Sequence, residues 1–540
     1  MKQFDYVIVG AGAAGCVLAA RLTEDPQTTV CLLEAGPPDT NRWIRMPAGF
    51  TKTLFDPDVT WPFKTVPTAH TGGRAISTTV GRTLGGSSAI NGMIYNRGQP
   101  ADFDSWAQRG NRGWGYTDVL PYFQRSERRE GGDPDVRGKD GAIPVTDQDW
   151  IHPVSEAFIA GCIGLGIPRN PDYNSGTQAG VGYFQRTIEG GRRVSAARGY
   201  LTDAKTRPNL EIRTNARAYA IVWDGQRAVG VRTRAARDAP PRTVMARREV
   251  LVCAGTVNTA RLLQLSGIGP APVLERLGVA PVAVLPAGQN LRDHYAIRFV
   301  MRARRGTTTL NELARGPRLL LEGARWALGR PSILGTSPSH VHVFANGYDP
   351  PGTAHPGPPN LQCVFTPGSY AAGRTYILDN YPGVTAGAWP HRPESTGTVE
   401  AISTDVFDDP TVQPNYLSHP EDQRLTLAGM RLVRQMLRTP ELAPFLETET
   451  LPGRHLTTDD ELMDFARQTG TTTYHLIGTA RMGPASDPTS VVDDRLRVHG
   501  VQGLRVIDAS IMPSMPSANT YASTLMIAER AADFLRGRVA

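Results

Sequence analysis

Gly10, Gly12 and Gly15 follow an apolar run at residues 4–9 and precede a helix-like run at 16–22, in the order Gly-x-Gly-x-x-Gly. A second apolar run, 29–33, ends at Glu34. Strand, glycine turn, helix, strand and acid in this order form the dinucleotide-binding unit. Gly10 permits the tight turn, Gly12 lets backbone approach a pyrophosphate, and Gly15 brings helix close to strand. The helix start then offers unsatisfied N–H groups and a positive dipole end to the anion, while Glu34 can accept hydrogen bonds from a ribose.

Three further stretches carry chemistry. Gly85-Gly86-Ser87-Ser88 opens a short helix and supplies backbone and hydroxyl donors for a phosphate or a polar ring edge, although a plain helix cap would look the same. Thr473-Tyr474-His475 precedes Leu476-Ile477-Gly478-Thr479. His475 is either a satisfied core histidine or an acid–base group, whose ordinary pKa of about 6.5 lies near working pH. Asp508-Ala509-Ser510 closes a strand at 504–507, the end at which open α/β sheets place ligand contacts.

These groups must be positioned by a large chain. At 540 residues it exceeds one ordinary core, and its 40% apolar and 20% charged residues are normal for a globular enzyme. The net charge of +7 comes almost wholly from arginines spread along the chain. No dense basic block with interleaved aromatics occurs, so nucleic acid is not an expected partner. Five cysteines without metal-ligand or redox spacing predict buried free thiols, no metal site and a reducing compartment. The first strand begins by Phe4, leaving no room for a signal peptide, and no apolar run is long enough to span a membrane. A cytoplasmic protein is expected; nothing indicates its oligomeric state.

Residues 39–79 are broken by prolines and read as an irregular excursion. Short strands are predicted at 210–214, 218–223, 228–234 and 244–253, with Asp224-Gly225 as a hairpin turn. Residues 151–164 and 421–439 read as helices, and 348–360 as a Pro/Gly-rich loop. Residues 313–328 combine leucines with three arginines. A basic amphipathic helix of that kind could rest on a membrane surface, but Gly316-Pro317 and Gly323 favour a domain-surface helix.

The segment 81–91 resembles the first signature of the glucose–methanol–choline (GMC) oxidoreductases, and 255–269 the second, with Ala260 where Pro or Ser is usual. The resemblance covers most of the chain and is nearest the choline-dehydrogenase-like and hydroxymethylfurfural-oxidase-like branch. It implies an α/β fold, a Rossmann-like FAD-binding domain of GMC type with an inserted α+β substrate-binding domain. The boundaries expected are 1–155, 205–297 and 470–540 for the FAD-binding domain, and 156–204 and 298–469 for the substrate-binding domain.

The cofactor implied is FAD. Its expected contacts are Gly10, Gly12, Ala13, Ala14, Gly15, Glu34, Ala35, Arg82, Gly85, Gly86, Ser87, Ser88, Asn91, Gly92, Ile94, Ala218, Ala254, Gly255, Asp508, Ala509, Asn519 and Thr520. The position used by some members for covalent attachment through histidine holds Ile90, so non-covalent FAD is expected. His475 and Asn519 correspond to the pair that faces the flavin, with His475 as catalytic base and Asn519 holding the same oxygen.

The activity implied is oxidation of a primary, aromatic or otherwise non-charged alcohol to the aldehyde by hydride transfer to flavin N5, with oxygen or a quinone-type carrier as acceptor. The rate should rise with pH through a group near or above 6.5. A choline-type substrate, hydroxynitrile lyase-like chemistry and flavin photodecarboxylase-like chemistry are the alternatives. Tyr474 and Phe365 are assigned to an apolar substrate pocket, with Tyr370, Tyr376 and Trp389 as further aromatics that could equally be core.

Overall fold

In a computed structural model, which describes residues 2–349, 357–371 and 377–539, two seven-stranded sheets dominate. The first is built on strand Gln3–Val9, paired in parallel with Val30–Leu33 on one side and Arg242–Val252 on the other. Leu210–Arg213 extends it in parallel beyond Val30–Leu33. Arg242–Val252 is long enough to serve two partners on its outer edge. Its first half pairs antiparallel with Arg227–Arg234, and its second half runs parallel to Leu504–Val506. Runs of fully buried Val, Ile and Leu in the central strands are what a sheet covered on both faces requires. Helices Ala13–Leu22 and Thr520–Leu535 pack together on it. Gly15 makes the close helix approach possible, since a Cβ there would lie 1.9 Å from the Gly10 carbonyl oxygen.

The second sheet is antiparallel. Its strand Tyr295–Ala303 pairs with Gly383–Pro390 and Leu446–Leu451, and the sheet continues through Leu361–Thr366, Val341–Ala345 and Gly180–Tyr183. Alternation along each strand divides it into two faces. Ile297, Phe299, Cys363, Phe365, Val384 and Ala386 point into a core shared with helices Pro153–Gly164 and Pro420–Met436. Ala296, Arg298, Val364, Thr366, Thr385 and Gly387 point the other way, into a cavity that the first sheet's strand ends close.

Phe365 therefore differs from its assignment. It is fully buried and stacks on Phe158 at 4.2 Å between ring centres, while its neighbours Val364 and Thr366 face the cavity. A period of two puts adjacent residues on opposite faces, and the sequence does not fix which phase is inward. Tyr376 and most of the 348–360 loop lie outside the described residues. The basic helix forms over Gly316–Ala327 and lies on the surface, but its leucines face outward. All five cysteines are buried and free. Among the described residues no helix is long and apolar enough to cross a membrane.

Candidate active site

One cavity of about 350 Å³ runs between the two sheets. Gly10, Gly12, Ala13, Ala14, Glu34 and Ala35 line it at the end of the first sheet's strands, with Gly86, Ser87 and Ser88 alongside. The two glycine segments touch each other. Gly85 N–H donates to the Ala11 carbonyl at 2.8 Å. A Cβ on Gly86 would lie 2.7 Å from Gly12 Cα, and Gly86 also holds a left-handed φ of 53°. A Cβ on Gly12, by contrast, would meet no atom within 4 Å.

The helix starting at Ala13 has no side-chain cap, so its first N–H groups are left for a ligand. Glu34 accepts the Ala11 N–H at 3.0 Å and the Gly36 N–H at 2.8 Å, and burial raises its carboxyl to about 7 against the pull of those donors. Asp508 holds the Gly255 N–H at 2.9 Å and the Thr259 hydroxyl at 2.6 Å, placing a carboxylate at the start of helix Gly255–Leu265. Trp61 lies under the guanidinium groups of Arg82, Arg217 and Arg261, at 5.4, 4.4 and 5.4 Å from its ring centre.

Asn91, Gly92, Ile94, Ala218, Ala254, Gly255, Ala509 and Thr520 also line the cavity. Three assigned cofactor contacts do not. Gly15 packs helix against strand, Gly85 supports the loop from behind, and Arg82 donates to the Pro57 carbonyl while covering Trp61. The uncapped helix start, the open space over Gly12 and the glycine-on-glycine contact fit a dinucleotide pyrophosphate.

His475, Asn519 and Tyr474 line the other part of the cavity. His475 follows strand Thr471–Thr472, which pairs with Tyr295 and Ala296, and its backbone N–H donates to Asp293 at 2.8 Å. Asp293 is buried and also accepts the Tyr416 and Thr472 hydroxyls and the His294 N–H; burial raises its carboxyl to about 6. The imidazole itself is held at both nitrogens. Its Nε2 lies 3.0 Å from the Asn519 amide nitrogen, and its Nδ1 lies 3.0 Å from His294 Nδ1 and 2.8 Å from Thr473 Oγ1.

A backbone carbonyl decides the tautomers. His294 Nε2 is 2.7 Å from the His391 carbonyl oxygen, which can only accept, so Nε2 carries the proton. Burial depresses the His294 pKa to about 4, so the ring is neutral and its Nδ1 is an acceptor. His475 Nδ1–H donates to it, and His475 Nε2, left unprotonated, accepts from the Asn519 amide N–H on the cavity lining. Burial, reinforced by His294, pushes the His475 pKa well below its ordinary value, contrary to the expectation of a group near or above 6.5. Asn519 Oδ1 is buried and has no hydrogen-bond partner among the described residues.

His294, Asp293 and Thr473 were not read from the sequence. Asp293-His294 ends a loop before an apolar strand, where both look like ordinary core-edge residues. Among the described residues no three His, Cys, Asp or Glu side chains converge on a metal site.

Comparison with known proteins gives this geometry a family. GMC oxidoreductase profiles match residues 4–296 and 393–528. The chain belongs to the GMC oxidoreductases. It is 38% identical over 545 residues to an alcohol dehydrogenase [acceptor] of Pseudomonas putida, covering 99% of this chain and 96% of the relative. It is 37% identical to an oxygen-dependent choline dehydrogenase of Vibrio vulnificus, covering 99% and 94%. Among solved structures, pyridoxine 4-oxidase from Mesorbium loti superposes with a TM-score of 0.88 at 32% identity, covering 99% of this chain and all of the other. As a GMC oxidoreductase the chain is an FAD-dependent enzyme acting on the CH–OH group of alcohols.

Proposed function

We propose that this GMC oxidoreductase oxidises a neutral primary alcohol, aromatic or otherwise apolar, to its aldehyde. The observation that carries the reading is the unprotonated Nε2 of His475, hydrogen-bonded to the Asn519 amide, on the lining of a cavity whose other part is a glycine cradle. FAD, bound non-covalently beside Ile90, supplies the hydride acceptor. The protein's residues do the rest. The alcohol hydroxyl replaces the mutual hydrogen bond of His475 and Asn519, His475 Nε2 accepts its proton, and the amide of Asn519 donates to the oxygen as negative charge develops. Loss of that proton makes the adjacent carbon a stronger hydride donor.

The lining chosen for the substrate favours an uncharged molecule. Ile94, Ala296, Val364, Tyr370, Trp389 and Tyr474 supply apolar and aromatic surface. Among the described residues the cavity's carboxylates are Glu34 and Asp508, both placed around the glycine cradle and its adjoining helix starts, and the charge on the second sheet's face is Arg298. A quaternary ammonium alcohol would meet the cationic Arg298 on that face, which argues against a choline-type substrate. Oxygen or a quinone-type carrier then removes the electrons.

The test is anaerobic mixing of the yellow holoenzyme with benzyl-type, furfuryl-type and aliphatic alcohols and with choline. Bleaching of the flavin by the neutral alcohols with release of aldehyde is expected, and admission of air or a quinone distinguishes the acceptors. A flavin left oxidised by every alcohol, or reduced by choline alone, would overturn the proposal.

A further inference from the structure

Helix Gly316–Ala327 is amphipathic the wrong way round for a helix that serves only its own core. Its buried side chain is Glu322, whose carboxylate accepts the Ile333 N–H at 3.0 Å. Trp326 is half-buried and donates through Nε1 to the Gly191 carbonyl at 2.7 Å. Leu320, Leu321 and Leu328 are 77%, 61% and 72% exposed. Pro317, Leu320, Leu321, Ala324 and Leu328 recur at intervals of three and four, so they form one stripe pointing away from the protein. An exposed apolar stripe of this kind marks an interaction surface.

The border of the stripe says what covers it. Arg318 and Arg325, two turns apart and exposed, flank it, and Arg330 follows the helix. Arg192 lies with its guanidinium 4.9 Å from the Trp326 ring centre. Arg198 and Arg192 stand close to Arg45: burial and then these like charges, against the pull of Asp39, hold the Arg45 guanidinium below its usual range. The one acid of the helix, Glu322, is turned inward. Leucines ringed by arginines complement a surface that is apolar below and anionic at the rim, as a leaflet of acidic phospholipid is.

The helix also belongs to the cavity's rim. It is followed by the turn Ile333–Gly335, which packs on the turn Pro47–Gly49, and by Pro338 and Ser339 on the cavity lining. Phe50 and Leu54, just beyond Pro47–Gly49, line the cavity as well, and Phe55 next to them is exposed.

We propose that helix Gly316–Ala327 docks the enzyme on an anionic phospholipid surface. Leu320, Leu321 and Leu328 enter the acyl boundary, and Arg318, Arg325 and Arg192 meet the phosphates. The cavity rim then faces the lipid, so an apolar alcohol or a lipid-borne electron acceptor could reach it without crossing bulk water. The docking itself does not depend on which alcohol is oxidised.

Sedimentation of the holoenzyme with vesicles tests this. Binding is expected to phosphatidylcholine vesicles containing phosphatidylglycerol, to weaken as salt rises, and to be slight on pure phosphatidylcholine. Leu320→Glu/Leu321→Glu should lower the bound fraction about tenfold or more. Arg318→Gln/Arg325→Gln should remove the preference for phosphatidylglycerol. Both variants should keep the parent's flavin content, since the altered side chains are exposed. No binding by the parent, or equal binding by the leucine variant, would overturn the proposal. So would a parent dimer that ignores vesicles and becomes monomeric in the leucine variant, because the stripe would then cover a second copy.

Discussion

His475 Nδ1 lies 3.0 Å from His294 Nδ1, and the two rings meet edge to face at 90°. The contact matters through its direction. The His391 carbonyl fixes the proton of His294 on Nε2, His294 therefore accepts from His475, and His475 is left with an unprotonated Nε2 toward the cavity. In the proposed mechanism His294 thus acts only by setting the tautomer of His475. Its replacement by phenylalanine should leave FAD bound and substrate affinity nearly unchanged, because His294 does not line the cavity. Flavin reduction at saturating alcohol should slow about tenfold or more, as the wrong tautomer becomes accessible. Asparagine, which can accept at its amide oxygen, should recover part of the loss. Stopped-flow reduction of the three proteins checks this; identical limiting rates would make the contact mere packing.

His475→Ala should keep FAD if the glycine segments hold it as proposed, and slow reduction on the order of a hundredfold or more, the usual share of a positioned base. The pH dependence follows from burial. A protonated His475 cannot accept the hydroxyl proton, and its pKa lies well below 6.5. The limiting rate of the parent should therefore be flat above neutrality and fall only in the acid range. Asn519→Ala should lower the rate while keeping that acid limb, since it removes orientation and not the titrating group. A parent rate that still climbs steeply between about pH 7 and pH 9 would identify a different base.

How far these features were legible in the chain differs from element to element. Gly10 to Glu34 could be read because period, turn residues and acid all converge on one unit, and the structure builds it from those residues. Phe365 shows the limit of periodicity: alternation makes 361–366 a strand, but the phase is set by which face helices Pro153–Gly164 and Pro420–Met436 cover. The helix Gly316–Ala327 repeats the lesson at a longer period, because its stripe was visible and its outward direction was not. His294 left no local sign at all. Its role exists only because strand Tyr295–Ala303 pairs with Thr471–Thr472, bringing residues 181 apart in sequence into contact.

Ile90 is buried among Ile44, Leu54, Val59 and Ala89 and also lines the cavity. An isoleucine offers no atom for a covalent flavin link. Acid or heat denaturation followed by filtration should leave all the yellow colour in the filtrate. Flavin remaining with the polypeptide would contradict non-covalent binding.

Several histidines are buried in neutral form. Burial lowers His152 and His294 to about 4, and His340 and His342 to about 3. Their folded pKa values lie below the unfolded value, so the stability they contribute is present above about pH 6.5 and lost as pH falls toward 4. Each ring is worth on the order of a few kcal/mol at full depth, so the melting temperature should drop by several degrees between about pH 7 and pH 5. Calorimetry of the holoenzyme checks the sign; a melting temperature that rises on acidification would be incompatible with neutral buried rings.

Gly12 and Gly86 should respond in opposite ways to added carbon. A side chain on Gly12 projects into the open cavity, where no protein atom lies within 4 Å. Gly12→Val should therefore fold and lose FAD, because the valine occupies the space a pyrophosphate needs. A Cβ on Gly86 strikes the backbone of Gly12 at 2.7 Å, and the residue holds φ 53°. Gly86→Ala should therefore destabilise the protein by about 1–3 kcal/mol even without FAD, through strain and the forced separation of the two glycine segments. Thermal melts of the two apoproteins, with FAD titration followed by fluorescence quenching, separate the effects. Gly12→Val should melt like parent apoprotein and show no quenching, whereas Gly86→Ala should melt lower and bind FAD more weakly. Full FAD occupancy in Gly12→Val would place the pyrophosphate away from this loop, and an unchanged melt for Gly86→Ala would mean that the contact between the two segments yields without cost.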